Sequence, residues 1–176
     1  IFASILPLYF VATSSEYRLS RIETWLSRKC DLGIDLLGDC FQLNQSRIAI
    51  SSGGLFGLGP GTSRARWGSL PNSYSDFISS IIGEEYGFFG LFLLVLAFFI
   101  LISTTFLIAI REKNEIKKLI SVGFGSWVFF QTVINLGGAV GIVPITGIVL
   151  PFVSYGSSAM ISIFIALGIM YSRDYE

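Results

Sequence analysis

Histidine is absent from these 176 residues, and charge is scarce: 12 basic and 12 acidic side chains make up 14% of the chain and cancel to a net charge of zero. Without histidine there is no Ser-His or Cys-His nucleophile pair, and the most frequent zinc ligand is missing. Acid–base chemistry must then fall to Asp, Glu, Lys or Tyr. With no basic excess and no long basic run, nucleic acid has no electrostatic reason to bind. There are only two cysteines, Cys30 and Cys40. Their spacing fits no metal motif and leaves a disulfide and two unpaired thiols equally open. No Ser-x-x-Lys occurs either, so the chain holds no acyl-transfer site of that type.

Hydrophobic residues are what the chain has in plenty. They form 52% of it, and 16 of them are Phe, far from soluble globular composition. This is the composition of an integral membrane protein. The opening IFASILPLYFVAT, residues 1–13, is apolar but shorter than the roughly 20 residues a spanning helix needs. It reads as the end of a truncated transmembrane helix, which makes the chain the C-terminal part of a larger bundle.

Most of the charged residues fall within 14–86, which therefore reads as one large loop outside the lipid. Ile22, Trp25 and Leu26 recur at helical spacing, with Arg18 and Arg21 three apart on a neighbouring face, as in an amphipathic interfacial helix. Contact with lipid headgroups is the ordinary role for such arginines. Gln42, Gln45 and Ile48 repeat at the same spacing, and a packed helix face is the ordinary reading of that pattern. Gly53, Gly54, Gly57, Gly59 and Gly61 then crowd one short loop. No strand precedes it, no Gly-Lys-Ser/Thr follows, and Pro60 lacks an amide, so it is not a phosphate loop. Its glycines point to positive φ and close backbone approach, to a neighbouring helix or to a substrate. Arg64 and Arg66 follow, and then Asp76, just ahead of a long apolar run. Glu84 and Glu85 stand near the start of that run, where acids favour a helix N-terminus. Asp76 could itself be a helix N-cap.

Residues 87–110 read as a transmembrane helix, and the short basic segment 111–118 as a cytoplasmic loop. The uncharged stretch beyond is too long for one helix and is broken by Pro144, Gly147 and Pro151. It divides into helices over 119–143 and 155–172, joined by an extracytoplasmic or re-entrant connection, 144–154, with a cytoplasmic tail, 173–176. Gln131 and Asn135 lie four apart on one face of the first and need partners inside the bundle, through helix contact or along a polar substrate path. The expected fold is an all-α polytopic membrane protein with one large extracytoplasmic loop.

Several ordered motifs together resemble one family: Tyr17-Arg18 with Arg21, Phe41-Gln42 with Gln45, Ser52-Gly53-Gly54-Leu55-Phe56-Gly57 through Gly61, Leu70-Pro71-Asn72 with Ser75-Asp76-Phe77, Gly83-Glu84-Glu85-Tyr86-Gly87, Gln131 with Asn135, and Pro144-Ile145-Thr146-Gly147 with Leu150-Pro151-Phe152-Val153-Ser154-Tyr155-Gly156. By these the chain resembles the SEDS proteins (shape, elongation, division and sporulation), the FtsW/RodA/SpoVE peptidoglycan polymerases, over nearly all its length. The segment 67–77 is most similar to the FtsW division branch.

The resemblance implies a glycosyltransferase that polymerises lipid II outside the bacterial cytoplasmic membrane during septal wall synthesis. It implies Asp76 as general base, with Arg18, Arg21, Arg64, Arg66, Gln42, Gln45 and Ser154 as substrate-binding residues. Partners would be lipid II, a class B penicillin-binding protein and other membrane proteins of the division machinery. No protein-held metal is implied, and a divalent cation cofactor is left open. The rival readings are a flippase for lipid-linked precursors and a non-enzymatic division scaffold. A transporter would place ionisable residues near the bilayer midplane, whereas every charge here lies outside the spans.

The charge asymmetry of the short loop generates a topology prediction. A cysteine introduced at Asn114 stays protected from an impermeant thiol reagent added outside the cell. Labelling from outside would invert the assignment.

Overall fold

The structure is a computed structural model that describes residues 16–27, 30, 31, 38, 40–68 and 70–171. The expected helix end at 1–13 and the tail at 173–176 lie outside the described residues. Among the described residues all regular structure is helical: α1 Glu16–Leu26, α2 Phe41–Ser52, a 3-10 turn Ala65–Trp67, α3 Ile78–Arg111, α4 Glu115–Val140 and α5 Ser157–Met170. Cys30 and Cys40 are joined in a disulfide, the alternative that their spacing alone left open, and Cys40 is fully buried just ahead of α2.

The helices α3 and α4 are long and apolar enough to cross a membrane. The apolar window of α3 is only 11% buried, so most of its surface faces outward. At 14 residues α5 is shorter than the roughly 20 of a full span. The boundaries of α4 follow from its caps. Asn114 is extended, and its side chain accepts the N–H groups of Ile116 and Lys117. The helix therefore starts at Glu115, a turn before the apolar run, and Lys117 and Lys118 lie in its first turns. Gly141, at φ 85°, closes the other end, where the N–H of Ile142 returns to the Gly137 carbonyl.

The helix α3 begins at Ile78, well before the apolar run, because it is two helical segments meeting at Gly87. There φ is 66° and ψ −159°, a conformation essentially confined to glycine. The kink breaks the helical bonds that Phe88 and Phe89 would have made to the carbonyls of Glu84 and Glu85. The glycine loop supplies replacements. Leu58 and Gly59 donate to those two carbonyls, each at 3.0 Å, while the N–H groups of Phe88 and Phe89 go to Gly54 and Leu55 at 2.9 and 3.2 Å. Such contact needs bare backbone: a β-carbon on Gly87 would meet the Gly57 nitrogen at 2.4 Å, and one on Gly57 would meet the Glu85 carbonyl at 2.1 Å.

Two apolar clusters hold the rest. Phe98, Phe124, Val128, Leu150, Ile163 and Met170 join α3, α4 and α5. Ala49, Ala65, Leu70, Phe77 and Ala139, with Ile145 against them, join α2, the 3-10 turn and the facing ends of α3 and α4. Small side chains permit the approach of α2. Ser46 bonds Ser80 at 2.7 Å and the Ala139 carbonyl at 2.6 Å, and both serines are buried.

Between α4 and α5 the chain is irregular over 142–156. Its carbonyls, and those of the end of α4 that leads into it, are met by side chains. Arg47 Nε donates to Val140, Trp25 Nε1 to Gly141, Arg21 to Ile145, Asn135 to Ile148 and Gln131 to Val149. Irregular backbone beside lipid requires this accounting.

Gly87→Ala places a side chain in a glycine-only conformation and against the loop backbone. A loss of roughly 2–5 kcal/mol is expected from strain and overpacking together. Thermal unfolding of the purified variant in detergent, compared with wild type, measures it, and an unchanged Tm would refute the packing role of the bare backbone.

Candidate functional site

Asp76 stands at the entrance to α3. The residue that flanks the helix is Phe77, and no side-chain bond caps it, so Asp76 is not an N-cap. Its backbone is held firmly. The N–H of Asp76 donates to the Asn72 carbonyl, and the Asp76 carbonyl accepts from Asn135 Nδ2 at 3.0 Å. The same Nδ2 reaches Ile148 at 2.7 Å, so one buried amide ties Asp76 to the irregular connection. Gly147, at φ 72°, lies so close that a β-carbon there would come within 3.5 Å of Asp76 Oδ2. Among the described residues the Asp76 carboxylate accepts no hydrogen bond and forms no ion pair. It is half-buried in a small cleft with Phe77, Asn135, Gly138, Ile145, Thr146 and Ile148.

Glu84 has a different environment. It is 3% exposed, and its carboxylate accepts the Ser63 hydroxyl at 2.6 Å and the N–H groups of Arg64 and Ala65, both at 3.1 Å. Three donors converge on one carboxylate, so Glu84 fastens the start of the 3-10 turn to α3. Its role is structural through a neighbouring turn; the dipole of its own helix is not what it serves. Glu85 is also buried, and its Oε1 has no hydrogen-bond partner among the described residues.

The turn so fastened carries two expected substrate-binding residues. Arg64 and Arg66 both project from the surface. Arg66 lies 5.4 Å from the Trp67 ring centre and 5.8 Å from that of Tyr74, and its Nε reaches Tyr74 Oη at 3.4 Å. The hydrogen bond to Tyr74 and the phenol's charge raise the Arg66 pKa, with Glu85 adding to the effect. Tyr74 is held in turn, since its carbonyl accepts the Tyr155 N–H at 3.0 Å.

On the other side of Ile145 lies a groove of about 540 Å³ lined by Arg21, Trp25, Asp31, Gln42, Arg47 and the 141–145 backbone. Arg21 donates to Ile145 and, at 3.3 Å, to Gln42 Oε1. Arg47 forms an ion pair with Asp31 at 2.8 Å. The structure thus brings Arg21 and Gln42 together and puts Arg64 and Arg66 on a separate turn. Gln45 is half-buried on α2, the helix that carries Gln42 and Arg47. Arg18 lies in α1, but its side chain is outside the described residues. Ser154 faces inward, where its hydroxyl accepts the Leu150 N–H at 2.8 Å. Among the described residues no group of three or more acidic or cysteine side chains is placed to hold a metal ion.

Arg47 and Asp31 are the groove residues that sequence reasoning passed over. Arg47 left one trace, a lone charge within the otherwise uncharged FQLNQSRIAISS. Asp31 left none, because only the folded chain brings it to α2.

A profile of the cell cycle proteins FtsW, RodA and SpoVE matches residues 1–176. The chain is 37% identical over 175 residues to the probable peptidoglycan glycosyltransferase FtsW of Wigglesworthia glossinidia brevipalpis, covering 98% of this chain and 45% of that protein. It is 45% identical over 130 residues to the Bacillus subtilis (strain 168) protein of the same description, 73% of this chain and 32% of that one. With stage V sporulation protein E of the same organism it shares 39% identity over 165 residues, 91% and 44% of the two chains. A solved structure concerned with polymerization and crosslinking by a peptidoglycan synthase complex superposes with a TM-score of 0.65 at 27% identity, covering 96% of this chain and 45% of that chain. The chain spans less than half the length of these relatives.

Removing the Glu84 carboxylate leaves Ser63 and two amides without their charged acceptor, a loss of about 1.5–3 kcal/mol for a hydrogen bond of that kind. In Glu84→Ala, amide hydrogen exchange at Arg64 and Ala65 is expected to accelerate tenfold or more, roughly what 1.4 kcal/mol of lost protection gives. Unchanged exchange there would remove the fastening role.

Proposed function

The chain belongs to the FtsW/RodA/SpoVE family of cell cycle proteins, and from that premise we propose that it carries the reaction centre of a peptidoglycan glycosyltransferase that polymerises lipid II, with Asp76 as general base. One observation carries the residue assignment: of the three acids near the outer end of α3, Asp76 alone keeps a half-exposed carboxylate unengaged by the described residues, while Glu84 and Glu85 are buried. A base must have a lone pair available to the hydroxyl it deprotonates.

In the proposed step, Asp76 takes the proton from the attacking sugar hydroxyl as its oxygen forms a bond to the anomeric carbon of a second lipid-linked sugar. The bond from that carbon to the pyrophosphate breaks, and the lipid pyrophosphate leaves with the electron pair. Guanidinium groups stabilise the charge that develops on it, and arginine's planar fork suits phosphate oxygens. We assign this role to Arg18 and Arg21 first, with Arg64 and Arg66 second. Gln42, beside Arg21 in the groove, and Gln45 are assigned to the sugar or peptide, and Ser154 to the turn that supports the site.

The proposed topology sets 14–86 and 144–154 outside the cytoplasmic membrane and 111–118 inside, with crossings over 87–110, 119–143 and 155–172. The exposed apolar surface of α3 supports that setting. No Ser-x-x-Lys occurs in these 176 residues, so this part of the protein carries no crosslinking site of that type. A class B penicillin-binding protein is therefore the proposed partner, and the division septum the proposed place of work.

The test uses purified full-length protein, lipid II and the Asp76→Asn variant. Asn preserves the size of the side chain and cannot serve as base, so polymerisation is expected to fall by roughly a hundredfold or more while folding and insertion persist. Near-normal polymer from Asp76→Asn would overturn the assignment. Redistribution of lipid II across liposomes without polymer, by the wild type, would instead favour the flippase.

A further inference from the structure

The stretch Ser51–Ser63 contains no charged side chain, and its apolar members point outward: Leu55, Phe56 and Leu58 are all exposed, Phe56 at 79%. An exposed apolar loop normally hides its side chains or costs solubility. This one continues a surface. Phe56 stacks on Phe89 at 5.3 Å, Phe89 meets Phe88 at 6.3 Å, and Phe88 stacks on Phe92 at 6.4 Å, all on the outward side of α3. Phe88, Phe89 and Phe92 lie in the first turns of α3 beyond the Gly87 kink, in a helix long and apolar enough to cross a membrane, and all three are exposed. The loop tip therefore stands level with the start of the apolar span.

A second observation concerns the peptide groups. A loop that moves toward lipid gives up water as a partner, so each peptide N–H or C=O already bonded within the protein lowers that cost. Gly57, Leu58 and Gly59 donate to Gly53, Glu84 and Glu85, and the carbonyls of Gly54 and Leu55 accept from Phe88 and Phe89. The bonds that repair the α3 kink thus also prepare this segment for removal from water. The polar part of the region, Thr62, Arg64 and Arg66, begins only beyond the glycines.

We propose that the tip of the glycine loop, Leu55, Phe56 and Leu58, is seated in the bilayer interface beside the first turns of the α3 span, with phospholipid as its occupant. Aromatic side chains collect at that depth in membrane proteins. Such an anchor sets the height of the 3-10 turn, which Glu84 fastens to the same helix, and hence the height of Arg64 and Arg66 relative to lipid phosphates. The inference does not depend on the chemistry assigned to Asp76.

The test is site-directed spin labelling of the full-length protein in phosphatidylcholine–phosphatidylglycerol nanodiscs. Phe56→Cys and Leu58→Cys are labelled in separate proteins, so one remains if the other misfolds, and Thr62→Cys serves as the reference. Oxygen, which concentrates in lipid, is expected to relax the nitroxides at 56 and 58 more than a water-soluble nickel chelate does, with the order reversed at 62. Faster relaxation by nickel at 56 and 58 would place the tip in water, and weak relaxation by both would place it under another protein segment. Either result overturns the proposal.

Discussion

The backbone exchange at Gly87 is the constraint on which the Asp76-bearing half of this structure depends. A helix that breaks its own hydrogen bonds beside lipid must find others, and here the glycine loop provides both the donors and the acceptors that the kink leaves open. Side chains have no room in that contact, so Gly57 and Gly87 are bound to their residue type by geometry. The exchange fixes the loop to α3, and with the loop it fixes the 3-10 turn. From the other end Glu84 completes the attachment with three donors on one carboxylate.

A similar economy governs the segment between α4 and α5. Arg21, Gln131 and Asn135 donate to its carbonyls, and Trp25 and Arg47 to those of Gly141 and Val140 at the end of α4 that leads into it. These donors make it a wall. The arginine groove lies on one face and the Asp76 cleft on the other, with Ile145 lining both.

The acids divide their work by environment. Glu84 is saturated with donors, and Glu85 is enclosed beneath the loop. Asp76 has its backbone pinned at both N–H and C=O while its carboxylate stays unengaged among the described residues.

Composition and the lengths of apolar runs determined that the chain belongs in a membrane and is helical, because bilayer thickness and backbone saturation leave few alternatives. The motif order determined the family, and the glycine cluster announced close backbone approach by its composition alone. What the glycines approached was decided by the fold, since a kink at Gly87 leaves no mark in a run that is apolar on its far side and helix-compatible on both. The Arg47–Asp31 ion pair and the capture of Ser63 by Glu84 likewise join residues whose local sequence carries no sign of the partner, and the fold decided for the Cys30–Cys40 disulfide that spacing had left open. The resemblance already set Asp76 apart as the base, and their place near a helix start gave Glu84 and Glu85 another role. Which donors each carboxylate meets was decided by the tertiary structure, because distant parts of the chain bring them.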